Sequence, residues 1–225
     1  MISVAMDGPV GAGKSSVARE SAKKLGFIYV DTGALYRGVA LYTVRKGIGE
    51  DDEDYAQRVE ALLGEITVEI KIENGEQHIF LCGEDVSEEI RLPKISMAAS
   101  SVSQIPAVRA FLLELQRDIA KKNNVIMDGR DIGTVVLPEA QVKIFITAAP
   151  EIRAKRRFEE LVNKGVETTL EQVLGDLNRR DYQDSHRAVA PLKMAEGAVL
   201  LDTSPLTFEQ SVESVVDLVK KAAEI

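Results

Sequence analysis

Gly8, Gly11, Gly13, Lys14 and Ser15 stand in the order G-x-x-x-x-G-K-S within the stretch MDGPVGAGKSSVA, Met6 to Ala18. Glycines at this spacing let successive backbone N–H groups turn inward and cradle phosphate oxygens. A helix starting at the end of the loop adds its positive end. Lys14 can bridge the transferring phosphates and Ser15 can ligate Mg²⁺. The loop Gly8-Pro9-Val10-Gly11-Ala12-Gly13-Lys14-Ser15-Ser16 is therefore read as a nucleoside triphosphate site, against the bland reading of a chance glycine-rich turn.

A second set follows an apolar run, at Asp128-Gly129-Arg130-Asp131. Ligands bind in loops at the carboxyl ends of parallel strands, and Asp128 is a candidate for the outer shell of the metal. Asp7 is a weaker candidate for the same shell. The bland alternative is a turn with a local Asp–Arg pair. Arg153, Arg156 and Arg157 lie at i, i+3 and i+4, on one helix face. With a phosphate loop present they suggest a mobile cover that brings cations onto a transferred phosphoryl group and excludes water. Their alternative is an exposed helix face. In RRDYQDSHRAVAPL, the residues Arg179, Arg180, Asp181, Asp184 and Arg187 bring further cations and carboxylates, with Arg180, Asp184 and Arg187 toward one side of a helix. Arginine forks suit phosphate or a base carbonyl, and Asp accepts from sugar hydroxyls. His186 receives no role, because transfer to a phosphate acceptor needs no general base.

These residues need strands ending at one edge and helices starting there. Ile2–Asp7, FIYVD (Phe27–Asp31), NVIMDG ending in Asp128, VKIFITA (Val142–Ala148) and AVLLDT (Ala198–Thr203) read as strands of a parallel sheet. Helical patterns lie between them: Lys14–Leu25, stopping at Gly26; a helix ending near Gly47; one from Pro106 with Val108, Leu112, Leu115 and Ile119 buried; one from Pro150 to Lys164; and two with capping boxes at Thr169/Gln172 and Thr207/Gln210. The last of these carries Val212, Val215, Val216 and Val219. The expected fold class is α/β, with a five-stranded parallel sheet and helices on both faces.

The period changes in ITVEIKIE, where Ile66, Val68, Ile70 and Ile72 alternate with polar residues. Asn74-Gly75 predicts a tight hairpin turn, with EQHIFLCGEDV as the returning strand and His78 toward solvent. This small antiparallel β insert spans about 64–91. The acidic run Asp51–Asp54 reads as a helix N-terminus rather than a metal site.

The chain of 225 residues is 45% apolar and 28% charged, with net charge −8, which disfavours nucleic acid and anionic membranes as partners. Half of its fourteen arginines nonetheless fall between Arg130 and Arg187, which suits a small polyanion. No apolar run is long enough to span a bilayer, and no signal-peptide pattern precedes the first strand. The single cysteine, Cys82, is read as structural, and the expected location is the cytoplasm. A guanine-reading Asn-Lys-x-Asp motif is not found. A small-molecule kinase is the favoured class, and a catalytically idle phosphate-loop binding module is the alternative.

DGPVGAGKSS, DTGALYR, MDGRDIGTVV, VKIFITA and HRAVAPL, in this order, closely resemble the bacterial cytidylate kinase family. The resemblance implies a P-loop kinase fold and Mg²⁺-dependent transfer of the ATP γ-phosphate to CMP or dCMP. A broader UMP/CMP kinase, or another small-molecule P-loop kinase, is the runner-up. It also implies one kinase domain with its core at about 1–35, 105–150 and 190–225, a monophosphate-binding region at about 36–104 and an arginine-rich helical lid at about 151–170. Cytosine would be read by Thr32, Arg109, Asp131 and Arg187, and the sugar by Ser100, Arg180 and Asp184. Arg37 and Arg130 would hold the acceptor phosphate, with Tyr36 beside them. Thr32 stands where serine is familiar in the family, and its methyl narrows the pocket. Lys14, Arg130, Arg153, Arg157 and Arg187 are the expected catalytic cations, and the family-based expectation is a monomer.

Overall fold

The structure, a computed structural model, describes residues 1–73, 76–163 and 165–224. The Asn74-Gly75 turn and the expected helix end at Lys164 lie outside the described residues. The chain divides into two compact units, one of Ile2–Phe27 with Asn124 onward, the other of Ile28–Asn123. The first holds β1 (Ser3–Asp7), α1 (Lys14–Leu25), β6 (Val125–Gly129), β7 (Val142–Thr147), α6 (Pro150–Asn163), α7 (Leu170–His186), β8 (Val199–Asp202) and α8 (Phe208–Ala223). The second holds β2 (Ile28–Asp31), α2 (Thr32–Arg45), α3 (Tyr55–Leu62), β3 (Val68–Glu73), β4 (Glu76–Leu81), β5 (Glu84–Asp85), α4 (Pro93–Val102) and α5 (Pro106–Lys122).

Five strands form the expected parallel sheet, in the order β2-β6-β1-β7-β8. Met6 pairs with Asp128 and Asp7 with Gly129, so β1 and β6 end level and their following loops leave at one edge. Val4, Ala5 and Met6 are fully buried, as are Val125, Ile126 and Met127. Ala18 and Ala22 let α1 lie close to β6, and Ser21 and Val17 complete its buried face. The valines of α8 bury as expected, with α8 packed against α1, and both capping boxes are present. Gly26 closes α1 in the left-handed region, its N–H bonding back to the last turn. β8 lies at the sheet edge, with Val199 and Leu200 exposed.

In the other unit, α2 packs on α4 around Leu35, Val39, Leu41, Ile79, Leu81, Ile95 and Leu112. The insert is a three-stranded antiparallel sheet, β3-β4-β5, rather than a single hairpin. Val68 opposes Leu81 and Ile70 opposes Ile79 on its buried face, while Glu69 and Lys71 are exposed. The second turn, Cys82-Gly83, has φ of 51° and 85°, the double positive φ that two-residue hairpin loops require. Cysteine rarely takes such a conformation, so the residue types hid this turn. His78 is half-buried rather than solvent-directed, its Nδ1 3.1 Å from the Asp85 carboxylate of the added strand. Asp85 is also held by the hydroxyl and N–H of Ser87, which with His78 bring its pKa down to about 2.

Two helical expectations change. α4 was not expected, although Pro93 at its first turn and Ile95, Ala99 and Val102 at i, i+4 and i+7 carry a helical pattern. The buried stripe of α5 runs through Val108, Leu112, Gln116 and Ala120, with Arg109 beside it; Leu115 and Ile119 are half-buried. Two polar side chains thus take inward places that apolarity alone would deny them.

Gly8 shows what the loop geometry demands. Its φ is 151°, and a Cβ there would stand 2.0 Å from the Ile146 carbonyl oxygen. Gly13 has φ of 81° and open space around its missing Cβ. Gly8→Ala is expected to cost about 3 kcal/mol of stability, and Gly13→Ala about 1 kcal/mol, read by urea unfolding. Equal losses would show that steric approach to β7 is not what selects Gly8.

Candidate active site

α1 begins at Lys14 with Gly13 as its N-cap and no side-chain cap, so its first N–H groups remain for an anion. Gly8, Gly11 and Gly13 all have positive φ, which shapes the loop ahead of it. Lys14 is 5% exposed, and its Nζ donates to the Pro9 carbonyl at 2.7 Å. Burial, then the nearby Arg130 cation, lower its pKa to about 7 against the opposing pull of Asp128, Asp184 and Asp7. A polyphosphate would reverse that shift by supplying negative charge.

Ser15 Oγ donates to Asp128 Oδ2 at 2.7 Å. A hydroxyl and a carboxylate together are hard oxygen donors of the kind Mg²⁺ takes alongside substrate phosphates. Asp7, the weaker candidate for that shell, is held by the backbone after Asp131. Its Oδ1 accepts from Ile132 N–H and its Oδ2 from Gly133 N–H, each at 2.8 Å. Burial raises its pKa to about 6, the two backbone donors working against it. Asp7 therefore fastens the loop after β6 to the end of β1. Gly133 is needed there, since a Cβ would lie 3.1 Å from Ala195 Cβ and 3.4 Å from Asp7 Oδ2.

Arg130 and Asp131 do not form a local pair. Arg130 Nε donates to Asp184 Oδ2 at 2.7 Å, while Asp131 accepts from Arg187 Nη2 at 3.3 Å. Arg130 keeps its charge: burial opposes it, but Asp184 and then Asp128 push its pKa up. Both partners in the Arg187–Asp131 pair are deeply buried, at 5% and 7% exposure, and Arg187 Nε also donates to the Ala190 carbonyl. Arg180 and Asp184 share α7, with Arg180 exposed and Arg187 at the helix end.

The three arginines of α6 are not brought to one target. Arg153 is buried, donating to the Ala148 carbonyl, the Val10 carbonyl and Asp181 Oδ2. Asp181 Oδ1 in turn accepts from Val10 N–H at 3.1 Å, so the pair grips both polar groups of one loop residue. Arg156 donates to the hydroxyl and carbonyl of Thr203, and Arg157 pairs with the exposed Glu160. Asp181 was visible in RRDYQDSHR, but nothing in that stretch links it to Val10. His186 stacks on Tyr182 with ring centroids 4.0 Å apart.

In the unit of Ile28–Asn123, Asp31 caps α2 by accepting from Ala34 N–H, and its other oxygen accepts from Arg37 Nη2 at 2.7 Å. Gly33 makes room for this: a Cβ there would stand 3.1 Å from Asp31 Oδ1 and 3.2 Å from Arg37 Nη1. DTGALYR is thus one cap-and-pair turn. Thr32, next after the Asp31 cap, is 4% exposed. Arg109 lies over the Tyr36 ring, 5.4 Å from its centroid, and donates to the Ser103 carbonyl. Ser100 is half-buried on α4. A residue no motif signalled, Gln77 of β4, holds the main chain of Asp31.

Comparison with known proteins follows this division of parts. The family described as Cytidylate kinase matches residues 4–221. A cytidylate kinase of Caldanaerobacter subterraneus subsp. tengcongensis is 52% identical over 98% of this chain and 95% of its own. That of Lactobacillus johnsonii is 44% identical over 98% of this chain and 95% of its own. An uncharacterized protein from Eubacterium ventriosum, known from its crystal structure, is similar in fold, with a TM-score of 0.50 at 11% identity over 98% of this chain and 99% of its own. A phosphate loop with a buried lysine, the DGRDIGTVV turn held by Asp7, and matches that run almost end to end agree: the chain belongs to the cytidylate kinase family.

Proposed function

We propose that this protein transfers the γ-phosphate of ATP to CMP or dCMP, giving ADP and CDP or dCDP. The observation that carries the reading is the buried Lys14 beside the Ser15–Asp128 pair at an uncapped helix start, in a chain of the cytidylate kinase family. An oxygen of the acceptor phosphate forms the new bond to the γ-phosphorus. The bond to the β–γ bridging oxygen breaks, and ADP leaves with that electron pair. No base is required, so the protein's work is positioning and charge neutralisation.

The Gly8–Ser16 backbone and Lys14 hold the donor phosphates. Ser15, with Asp128 accepting from its hydroxyl, would hold Mg²⁺, which when bound neutralises charge on the β- and γ-phosphates. Arg37 and Arg130 take the acceptor phosphate, and Ser100, Arg180 and Asp184 the sugar. Thr32, Arg109, Asp131 and Arg187 read the base. Cytosine offers an amino donor and two acceptors, so carboxylate and hydroxyl meet the amino group while arginine meets N3 and O2. Uracil reverses one edge and leaves buried groups unpaired.

Residues 151–170 serve as the lid, 36–104 as the monophosphate-binding region, and 1–35, 105–150 and 190–225 as the core. Arg157 is the lid cation that moves at least cost, because an exposed pair such as Arg157–Glu160 contributes at most about 1 kcal/mol. Arg153, itself buried, would first have to leave three hydrogen bonds. A monomer acting on small nucleotides in the cytoplasm, without nucleic acid, completes the reading. It is consistent with the net charge of −8 and with the absence, among the described residues, of a helix long and apolar enough to cross a membrane.

A coupled assay of ADP release tests the substrate. CMP and dCMP are expected to outpace UMP by about 100-fold in kcat/KM, and AMP and GMP by more. Equal rates with UMP would overturn the cytosine assignment in favour of a broader pyrimidine kinase. Lys14→Met is expected to lower kcat about 1000-fold. It also changes stability against pH. Lys14 titrates near 7 when folded and far higher when unfolded, so between those values the unfolded chain binds the extra proton. Stability of the nucleotide-free protein therefore rises with pH from about 7 toward the ordinary lysine range. Thermal unfolding should show that Lys14→Met lacks this rise; an unchanged slope would assign it to other groups.

A further inference from the structure

Beyond its apolar packing on α2, the antiparallel insert holds the main chain ahead of the acceptor residues with a polar side chain. Gln77 lies on β4, where it opposes Ile72. Its side-chain oxygen accepts from Asp31 N–H at 2.8 Å, and its Nε2 donates to the Asp31 carbonyl at 3.2 Å. A primary amide presents the same donor and acceptor as a peptide group, so Gln77 serves Asp31 as a neighbouring strand would. The place matters. Asp31 is the last residue of β2 and the N-cap of α2, where the backbone leaves strand geometry. Its carboxylate holds both Ala34 N–H and Arg37, and Thr32 is the next residue in the chain.

We propose that Gln77 is a positioning residue: by pairing with the Asp31 main chain it fixes the turn that aims Arg37 and Thr32 at the acceptor nucleotide. This rests on the cytidylate kinase reading for the identity of the acceptor, but not for the hydrogen bonds. The insert is then an attached part of the acceptor site. Its effect is expected on acceptor binding, because both of these side-chain hydrogen bonds go to the Asp31 main chain.

Two variants separate the amide pair from simple packing. Gln77→Met keeps length and bulk without the polar groups. Gln77→Glu presents an acceptor and a hydroxyl donor when protonated, and two acceptors facing the Asp31 carbonyl when ionised. The charged groups around the position are the Asp31 carboxylate, the Arg37 guanidinium and the exposed Glu73 and Glu76; His78 lies on the other face of β4. For Gln77→Met, KM for CMP is expected to rise about tenfold, with KM for ATP and kcat within about twofold of wild type. For Gln77→Glu, the ratio of its KM for CMP to that of wild type should fall toward one as pH drops from about 8 to about 5.5. Gln77→Met over the same range controls for His78 and for the titration of CMP itself. An unchanged KM in Gln77→Met, equal rises in both KM values, or a flat ratio in Gln77→Glu overturns the proposal. Amide hydrogen exchange on the nucleotide-free protein reads the same device without turnover. Protection should fall at Asp31 and Ala34 in Gln77→Met, and unchanged protection there counts against Gln77 even if wild type proves inactive on CMP.

Discussion

Lys14 must stay buried, with the half-buried cation Arg130 nearby, at a helix start that lacks a capping side chain. Unpaired buried charge is among the most costly features a fold can hold. The protein meets this constraint with carboxylates delivered from separate segments. Asp7 comes from the end of β1, Asp128 from β6 and Asp184 from α7. Their pull on Lys14 only partly offsets burial and the Arg130 charge, which is why the lysine sits so far below its ordinary range. A bound polyanion would supply the negative charge that Lys14 lacks.

The same carboxylates set the loops. Asp7 uses both oxygens on the backbone that follows Asp131, so the end of β1 fixes the DGRDIG turn. Asp184 restrains Arg130, and Arg187 restrains Asp131. Asp181 and Arg153 clamp Val10, whose side chain packs against the α6–α7 core of Ala154, Val173 and Leu177. Groups that look like free ligands in the sequence are thus held in mutual pairs. Such pairs hold each side chain in place before any ligand is bound.

How much of this was legible varied with the range of the interaction. Strand ends, the glycine loop and both Thr–Gln capping boxes are set by neighbours within a few residues, and each was read from type and spacing. The insert was legible as alternation in ITVEIKIE but not as three strands, because Cys82 occupies a position where residue type would point to Asn or Gly. The tilt of the α5 stripe toward Arg109 and Gln116 was not legible, since buried polar residues break the apolar pattern that reveals a face. The three arginines of α6 were correctly placed on a helix, yet Val10 and Asp181, held by Arg153, and Thr203, held by Arg156, lie 28 to 143 residues away.

By itself the sequence determined the α/β order of elements, the phosphate loop and, through motif resemblance, the family, because these depend on local periodicity, backbone freedom at glycine and contiguous strings of residues. Only the tertiary structure decided which charge meets which. Arg130 takes Asp184 rather than Asp131, Asp7 takes two backbone N–H groups, and Gln77 reaches Asp31 across 46 residues. A hydrogen bond or ion pair is set by distance in space. The chain brings its strand ends to one edge before any of those distances exist, and their identities follow from register, such as Met6 beside Asp128, rather than from spacing along the chain.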